Sequence, residues 1–462
     1  MNIAAIDSAS FVASLEWLFV GYFLLLHGGQ TLLTAVSINS LRRRMESVAV
    51  RMLPRLSAGY EIPVSIIVPI SEITPDVEKF VQQLFGLDYP QFEVIVVNDI
   101  NDKQSFSQLK SDLRLVVFPE AYWRQVNARQ VRGVYRSPRF PALRVIDKES
   151  GGLGDAINAG VNAARYPVVC IARADCVLRR DSLRRLVPDF LEDASTVAVG
   201  SAERIANGSF IVNGFLERCR LAGNPLVWLQ ASAALRRDLC ARQGWAGSNA
   251  TLAFSHRFCA FRRDAVVQAG GFARAAVNPV LEMLGRFHRH YRAEDKPYRI
   301  AFLPAPIVWR FAPGAPGAVC RSNREEHQGL ADALRANSKL FWQRNTGFAG
   351  NLAYPFVKLT EAARPIIEVL GLAFFVSAYA FGLVSGVHLI AFAACAAGLG
   401  ILLSWLAILL DASLFRTYRS GTTFAMLLVA AIFENAGYRQ LAAICALSGR
   451  RRRTSADVDD DK

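Results

Sequence analysis

Short β-branched runs occupy the middle of this chain, and long apolar runs occupy its two ends. Val64–Pro69 (VSIIVP) and Phe92–Val97 (FEVIVV) are continuous apolar stretches. That pattern predicts strands covered on both faces, as in a parallel sheet. Leu143–Ile146 and Pro167–Ala172 read as two more. A helical stretch, Pro75–Leu87, follows the first strand and is opened by Pro75 and Asp76. Gly151–Arg165 reads as a glycine-opened helix with apolar positions at Ala156, Ala159, Val161 and Ala164. Strand and helix alternate, which predicts an α/β domain with a doubly wound, mostly parallel sheet. Ligands in such sheets bind beyond the carboxyl ends of the strands. Asp99 and Asp175 fall there.

The terminal runs have a different length scale. A membrane span needs roughly 20 apolar residues, and Trp17–Ile38, Ile366–Val384 and Val387–Leu410 each approach that length. Gly382–His388 is the expected turn between the last two. Thr422–Phe433 is shorter and runs into Glu434, Asn435, Arg439 and Gln440. Charges inside a membrane segment must pair or face a cavity. This segment therefore reads as either a polar-faced helix packed in a bundle or an interfacial helix. The expected layout is an N-terminal membrane helix at 1–45, a central domain at 60–330 and interfacial helices at 331–360. Membrane or re-entrant helices follow at 361–450, then an acidic tail at 451–462.

Charge adds orientation. Arg42, Arg43, Arg44 and Arg51 follow the first span, and only Asp7 and Glu16 are charged before its end. The positive-inside rule then places the central domain in the cytoplasm. Arg416, Arg419 and Arg450–Arg453 agree. A membrane protein crossing more than once is the expectation. The net charge of +14 fits proximity to anionic lipid. No aromatic–basic module points to nucleic acid. The eight cysteines, at 170, 176, 219, 240, 259, 320, 395 and 445, form no Cys-X-X-Cys pair. A zinc site is not expected, and cytoplasmic thiols are expected to be reduced.

VSIIVP, LDYPQFEVIVVND and RVIDKESGGLGDAINAGVNAARYPVVC occur in order, followed by FRRDAVVQAGGF (261–272), FHRHYR (287–292), PYRIAFLPAPIVW (297–309) and ENAGYRQL (434–441). Together they resemble the membrane-bound family 2 glycosyltransferases, whose relatives include exopolysaccharide, cellulose-type and poly-N-acetylglucosamine synthases. The resemblance implies a GT-A fold, and in an active member a nucleotide-sugar held with Mg²⁺ or Mn²⁺.

The same resemblance exposes departures. The family's PxYNE reads Pro69-Ile70-Ser71-Glu72-Ile73, and a one-residue shift would rescue Glu72. Asp99 is kept, but Ile100 and Asn101 follow it in place of Gly-Ser. Leu153 and Gly154 stand where Lys and Ala are usual, while Asp155 and Asn158 are kept. Asp99 also reads as a turn cap, and Asp155 and Asn158 as helix-start residues. The metal motif Asp-X-Asp becomes Arg173-Ala174-Asp175. A guanidinium ~4 Å from a cation site costs about 4 kcal/mol per unit charge at an effective dielectric of about 20. Arg173 would instead meet phosphate directly or pair with Asp175.

The acidic pair that supplies the family's catalytic base is replaced by Pro279 and Val280. Glu282 and Asp295 are the fallback bases, although FHRHYR and PYRI place Ala293–Asp295 in a loop after the helix. The acceptor loop reads Ser255-His256-Arg257-Phe258, with two bulky groups where the family is small. QxxRW reads Ser322-Asn323-Arg324-Glu325-Glu326, two carboxylates where a diphosphate is met.

Scaffold motifs survive while chemical ones fail together. Three readings follow. One is a pseudo-glycosyltransferase: a membrane subunit without cofactor that partners a synthase, an export subunit or another copy of itself in envelope polysaccharide synthesis. The second is an active, divergent enzyme using a UDP-sugar with Mg²⁺ or Mn²⁺. The third is a module binding nucleotide-sugar or polysaccharide without turnover, its pocket formed by Asp99, Asp155, Arg173, His256 and Arg257.

Overall fold

The structure, a computed structural model, describes residues 3–51, 61–70, 77–120, 122–342, 347–418 and 420–447. Ser71–Ile73 with Glu72, Pro75–Asp76, Arg344, Arg419, Arg450–Arg453 and the acidic tail lie outside them.

The chain opens with a long helix, Ile3–Arg51. Twelve strands follow: β1 (Val64–Ile70), β2 (Phe92–Asn98), β3 (Val116–Val117), β4 (Val131–Arg136), β5 (Leu143–Lys148), β6 (Val168–Ala172), β7 (Cys176–Leu178), β8 (Thr196–Ile205), β9 (Phe210–Val212), β10 (Phe215–Arg218), β11 (Phe258–Arg262) and β12 (Arg299–Arg310). They form one sheet in the order β3-β4-β5-β2-β1-β6-β11-β8-β12-β7-β10-β9. The expected parallel centre is β5-β2-β1-β6. Beyond it β11 runs antiparallel between β6 and β8, so the whole sheet is mixed.

Side chains in a strand alternate between faces. Val64, Ile66 and Val68 pack on one side with Phe80 and Leu84. Ile67, Ile95 and Val97 pack on the other with Ile157, Met283 and Phe287. Both faces are covered, which is why β1 and β2 are apolar without interruption. The helix expected at 151–165 spans Leu153–Ala163. Its start lies against Ala273–Arg274, and a Cβ at Gly154 would sit 2.2 Å from the Ala273 carbonyl oxygen. A glycine therefore stands where the family has Ala.

Two helices are long and apolar enough to cross a membrane, Ser10–Arg43 and Gly386–Leu414. Ala349–Ala362 and Arg364–Ala380 form a pair bent by 50° that qualifies as a third if taken together. Gly382, at φ 69°, turns the chain between Arg364–Ala380 and Gly386–Leu414. Residue 331 does not open an interfacial helix. It lies inside Pro316–Ala336, which Pro316 starts and Asn337 ends. Gly421–Phe433 is followed by a backbone break at Ala436 and Gly437 and then Arg439–Leu447. Glu434, Asn435 and Arg439 are buried, so of the two readings the packed, polar-faced one holds. Arg204 of β8 pairs with Asp411 of Gly386–Leu414 at 3.2 Å and with Asp238 at 3.2 Å, all three buried. Arg236 reaches Glu434 at 2.7 Å. These buried pairs dock the sheet onto the helices.

Candidate functional site

A cavity of about 950 Å³ lies between the sheet and the C-terminal helices. Arg173, Asp175, His256, Arg257, Ser322, Glu325 and Glu326, all expected at the site, line it. They come from three separate places in the chain. Arg173 and Asp175 follow β6. The Arg173 amide donates to the Arg257 carbonyl at 2.9 Å, which pins that end to the loop before β11. Ser322, Asn323, Glu325 and Glu326 face the cavity from the helix Pro316–Ala336.

Charge alternates along one chain of contacts. Arg173 Nε is 3.3 Å from Asp175 Oδ1, and Arg257 Nε is 3.3 Å from Asp175 Oδ2. Arg257 continues to Glu203 at 3.3 Å, and Ser255 Oγ donates to the same carboxylate at 2.5 Å. Arg310 meets Glu203 at 2.7 Å and Glu326 at 3.9 Å, and Arg237 closes on Glu326 at 3.0 Å. Burial raises the Asp175 carboxyl, but Arg257 and then Arg173 outweigh it and hold it below the usual range. Burial acts the same way on Glu203, and Arg257 and Arg310 drive it far below. Glu326 falls to about 2 because Arg237 and Arg310 overcome its burial. Carboxylates held this low are poor proton acceptors near neutral pH. Glu325 also lines the cavity and forms no ion pair among the described residues. His256 is pushed to about 3 by burial and by Arg257. It accepts from Asn278 Nδ2 at 3.2 Å through Nδ1.

The base position is closed differently. Asn278 caps the helix Pro279–Ala293 by accepting from the Leu281 amide at 3.3 Å. Pro279 occupies the first turn, where a missing N–H costs nothing. Val280 is 1% exposed and packs into the core with Phe287. Asn278 and Leu281, not Pro279 or Val280, line the cavity. Neither fallback base reaches it. Glu282 is buried and paired with Arg286 on its own helix, and its carbonyl accepts from Asn337 at 3.0 Å. Asp295 is exposed in the turn after the helix, at φ 51°.

Three other expected pocket residues are corrected. Asp99 and Asp155 do not face the cavity; both are ligands of the buried Lys148 ammonium. Asp99 also accepts from the amides of Gly151 at 2.9 Å and Gly152 at 2.8 Å. Asp155 also pairs with Arg274 at 2.9 Å. Asn158 bridges the Asn127 carbonyl at 2.9 Å and the Phe272 amide at 2.7 Å. A buried Lys in that position uses both carboxylates as counter-charges, so they are structural. Lys148, Glu203, Arg237 and Arg310 were missed. Their one signal is charge inside or at the edge of an apolar run, as in TVAVGSAERI and RVIDK.

Residues 62–328 match the family model described as glycosyltransferase like family 2. The chain belongs to this family. The poly-beta-1,6-N-acetyl-D-glucosamine synthase of Staphylococcus aureus strain COL is 23% identical over 189 residues, 40% of each chain. That of Staphylococcus epidermidis is 21% identical over 267 residues, 58% of this chain and 53% of the synthase. The matches thus span about half or less of these relatives' length. Among solved structures, the mannosyltransferase PcManGT from Pyrobaculum calidifontis, in complex with GDP-Man and Mn²⁺, superimposes with a TM-score of 0.51 at 19% identity. It aligns over 90% of this chain and all of the other, which supports the same fold.

The family's metal does not fit the residues present here. Among the described residues no group of three His, Cys, Asp or Glu is placed to hold a cation. Asp175, the one carboxylate of the metal motif, already has a guanidinium on each oxygen. A divalent cation would have to displace both.

One more expectation changes. Cys320 and Cys445 are not free thiols: they form a disulfide across 125 residues, with Cα atoms 5.1 Å apart. Sequence spacing gave no sign of it, because only packing brings the two helices together.

Proposed function

We propose that this chain is a catalytically degenerate family 2 glycosyltransferase. It would act as a structural or regulatory membrane subunit beside an active synthase, in envelope or exopolysaccharide synthesis at a bacterial inner membrane. One observation carries the reading: Asp175 is bracketed at 3.3 Å by both Arg173 and Arg257. Where the family places a cation between carboxylates, this chain supplies fixed cations of its own. The poor basicity of Glu203 and Glu326 and the burial of Val280 support the same conclusion. Purified protein with UDP-sugars or GDP-mannose, each with Mg²⁺ and Mn²⁺, should show no turnover of donor. Sugar transfer that Asp175→Ala abolishes would overturn the proposal.

A second reading rests on Glu325, a cavity carboxylate without an ion-pair partner among the described residues. An active, divergent, metal-independent transferase would use it as the base and Arg173 on the diphosphate. Loss of that activity in Glu325→Gln, with binding retained, is its specific signature. The pocket also allows a nucleotide or glycan to be held without turnover. A titration of thermal stability against UDP and UDP-sugars separates that case from a purely structural subunit.

A further inference from the structure

Cys320 and Cys445 sit on two helices that wall the same cavity. Arg321, Ser322 and Glu326 line it from Pro316–Ala336, and Ala442, Ala443 and Ala446 line it from Arg439–Leu447. The disulfide therefore joins two parts of one wall. Two hydrogen bonds at this junction are long: Asn323 Nδ2 to the hydroxyl of Tyr438, just before Arg439–Leu447, at 3.4 Å, and Arg324 Nε to the Cys445 carbonyl at 3.5 Å. Arg439–Leu447 has nine residues, and helices this short are not stable alone. Its first residue is anchored, Arg439 to Glu368 at 2.9 Å, and the disulfide holds its far end. Both cysteines are half-buried rather than enclosed in the core.

The arginines after the first helix predict a cytoplasmic domain. Disulfides in that compartment are characteristically transient, catalytic or sensing. We propose that Cys320–Cys445 is a reversible thiol–disulfide modification site that controls access to the cavity. The co-reactant is a thiol reductant, either glutathione or a Cys-X-X-Cys protein. Its thiolate attacks one sulfur of the pair; the chain's S–S bond breaks as the mixed disulfide forms, and the other cysteine leaves as thiolate. A second reductant thiolate displaces the first cysteine. The reductant ends oxidised as a disulfide, and the chain gains two electrons and, after protonation, two thiols. Reduction releases Arg439–Leu447 from the start of Pro316–Ala336 and opens the wall. The inference rests on the disulfide and the shared wall, and it stands whether or not the site turns over substrate.

The test uses the full chain. Cells, with or without brief exposure to the disulfide-forming oxidant diamide, are denatured directly in N-ethylmaleimide, and the protein is then reduced and labelled with an isotopically heavy maleimide. After diamide, heavy label at Cys320 and Cys445, with light label at Cys170, Cys176, Cys219, Cys240, Cys259 and Cys395, is expected; without it, light label at both. Light label at both after diamide overturns the pair. Purified oxidised protein is then exposed to millimolar glutathione and followed by hydrogen exchange. Residues 439–447 and 320–326 should exchange about tenfold faster once reduced, the signature of local opening. Resistance to glutathione overturns reversibility, and unchanged exchange overturns the gating. Native protein reduced chemically serves as the comparison, so the result does not depend on a variant folding.

Discussion

Asp175 keeps its identity and loses its freedom. Two guanidiniums at 3.3 Å leave it no oxygen for a cation. Manganese titration followed by its electron paramagnetic resonance signal should therefore show no site in the native chain. Arg173→Asp alone should not create one, because Arg257 remains; a site is expected only when Arg257 is removed as well. A stoichiometric site in the native chain would count decisively against the degenerate reading. Arg257→Ser should lower stability by about 1–3 kcal/mol, since Glu203 retains Arg310, and a thermal melt in detergent measures it. His256 has a pH signature. Its folded value lies near 3, whereas an unfolded histidine titrates near 6.5. Below about 6.5 the unfolded chain takes a proton that the folded chain refuses, so this contribution is complete above about 6.5 and lost progressively toward 3. The depressed Glu203 and Glu326 act lower, losing their contribution only below their ordinary 4.5. His256→Gln should flatten the stability profile between about 6.5 and 3. An unchanged slope there would remove His256 as the cause. At this scale the departures at Arg173, Pro279 and Val280 were readable directly, because a Pro or an Arg cannot do a carboxylate's chemistry anywhere in a fold. What replaced them was not readable, since Glu203 and Arg310 come from strands distant in sequence.

The elements explain why Asp99 and Asp155 mislead. Both stand at element ends where a ligand would bind, yet Lys148, at the end of β5, claims them from inside. Lys148→Met would leave two buried carboxylates without their shared cation. The expected cost is about 3–5 kcal/mol, with no effect on nucleotide binding beyond that of reduced folding; chemical denaturation checks it. The helix start at Leu153–Gly154 behaves similarly. Gly154→Ala restores the family's small residue but drives a Cβ to 2.2 Å from the Ala273 carbonyl. A loss of about 1–3 kcal/mol is expected from such overpacking, read by thermal melting, while Leu153→Lys at the cavity rim should be tolerated. Strand positions were legible because burial on both faces forces an uninterrupted apolar run. The antiparallel β11 was not, because strand direction depends on how the chain returns to the sheet.

On the scale of the whole molecule, a buried ion pair joins the sheet to the apolar C-terminal helix Gly386–Leu414. Arg204→Met should cost about 3–5 kcal/mol by stranding Asp411, while Asp238 keeps Arg242 at 2.9 Å. Combining Arg204→Met with Asp411→Leu should recover part of it, a coupling visible in a double-mutant cycle. Full additivity would mean that the pair does not join the two parts. Purification from native membranes should bring down an active synthase if the chain is its subunit. The sequence alone determined the apolar spans, the buried strands, the family and the absence of an acidic pair at 279–280. Those are properties of side chains and of local periodicity, and each is written in consecutive residues. Only the tertiary structure decided that Asp99 and Asp155 are structural, that Asp175 is closed by Arg173 and Arg257, and that Cys320 meets Cys445. Each of those depends on which charge or sulfur arrives from another element. In a low-dielectric interior it is that partner, not the residue itself, that fixes what a carboxylate or a thiol can do.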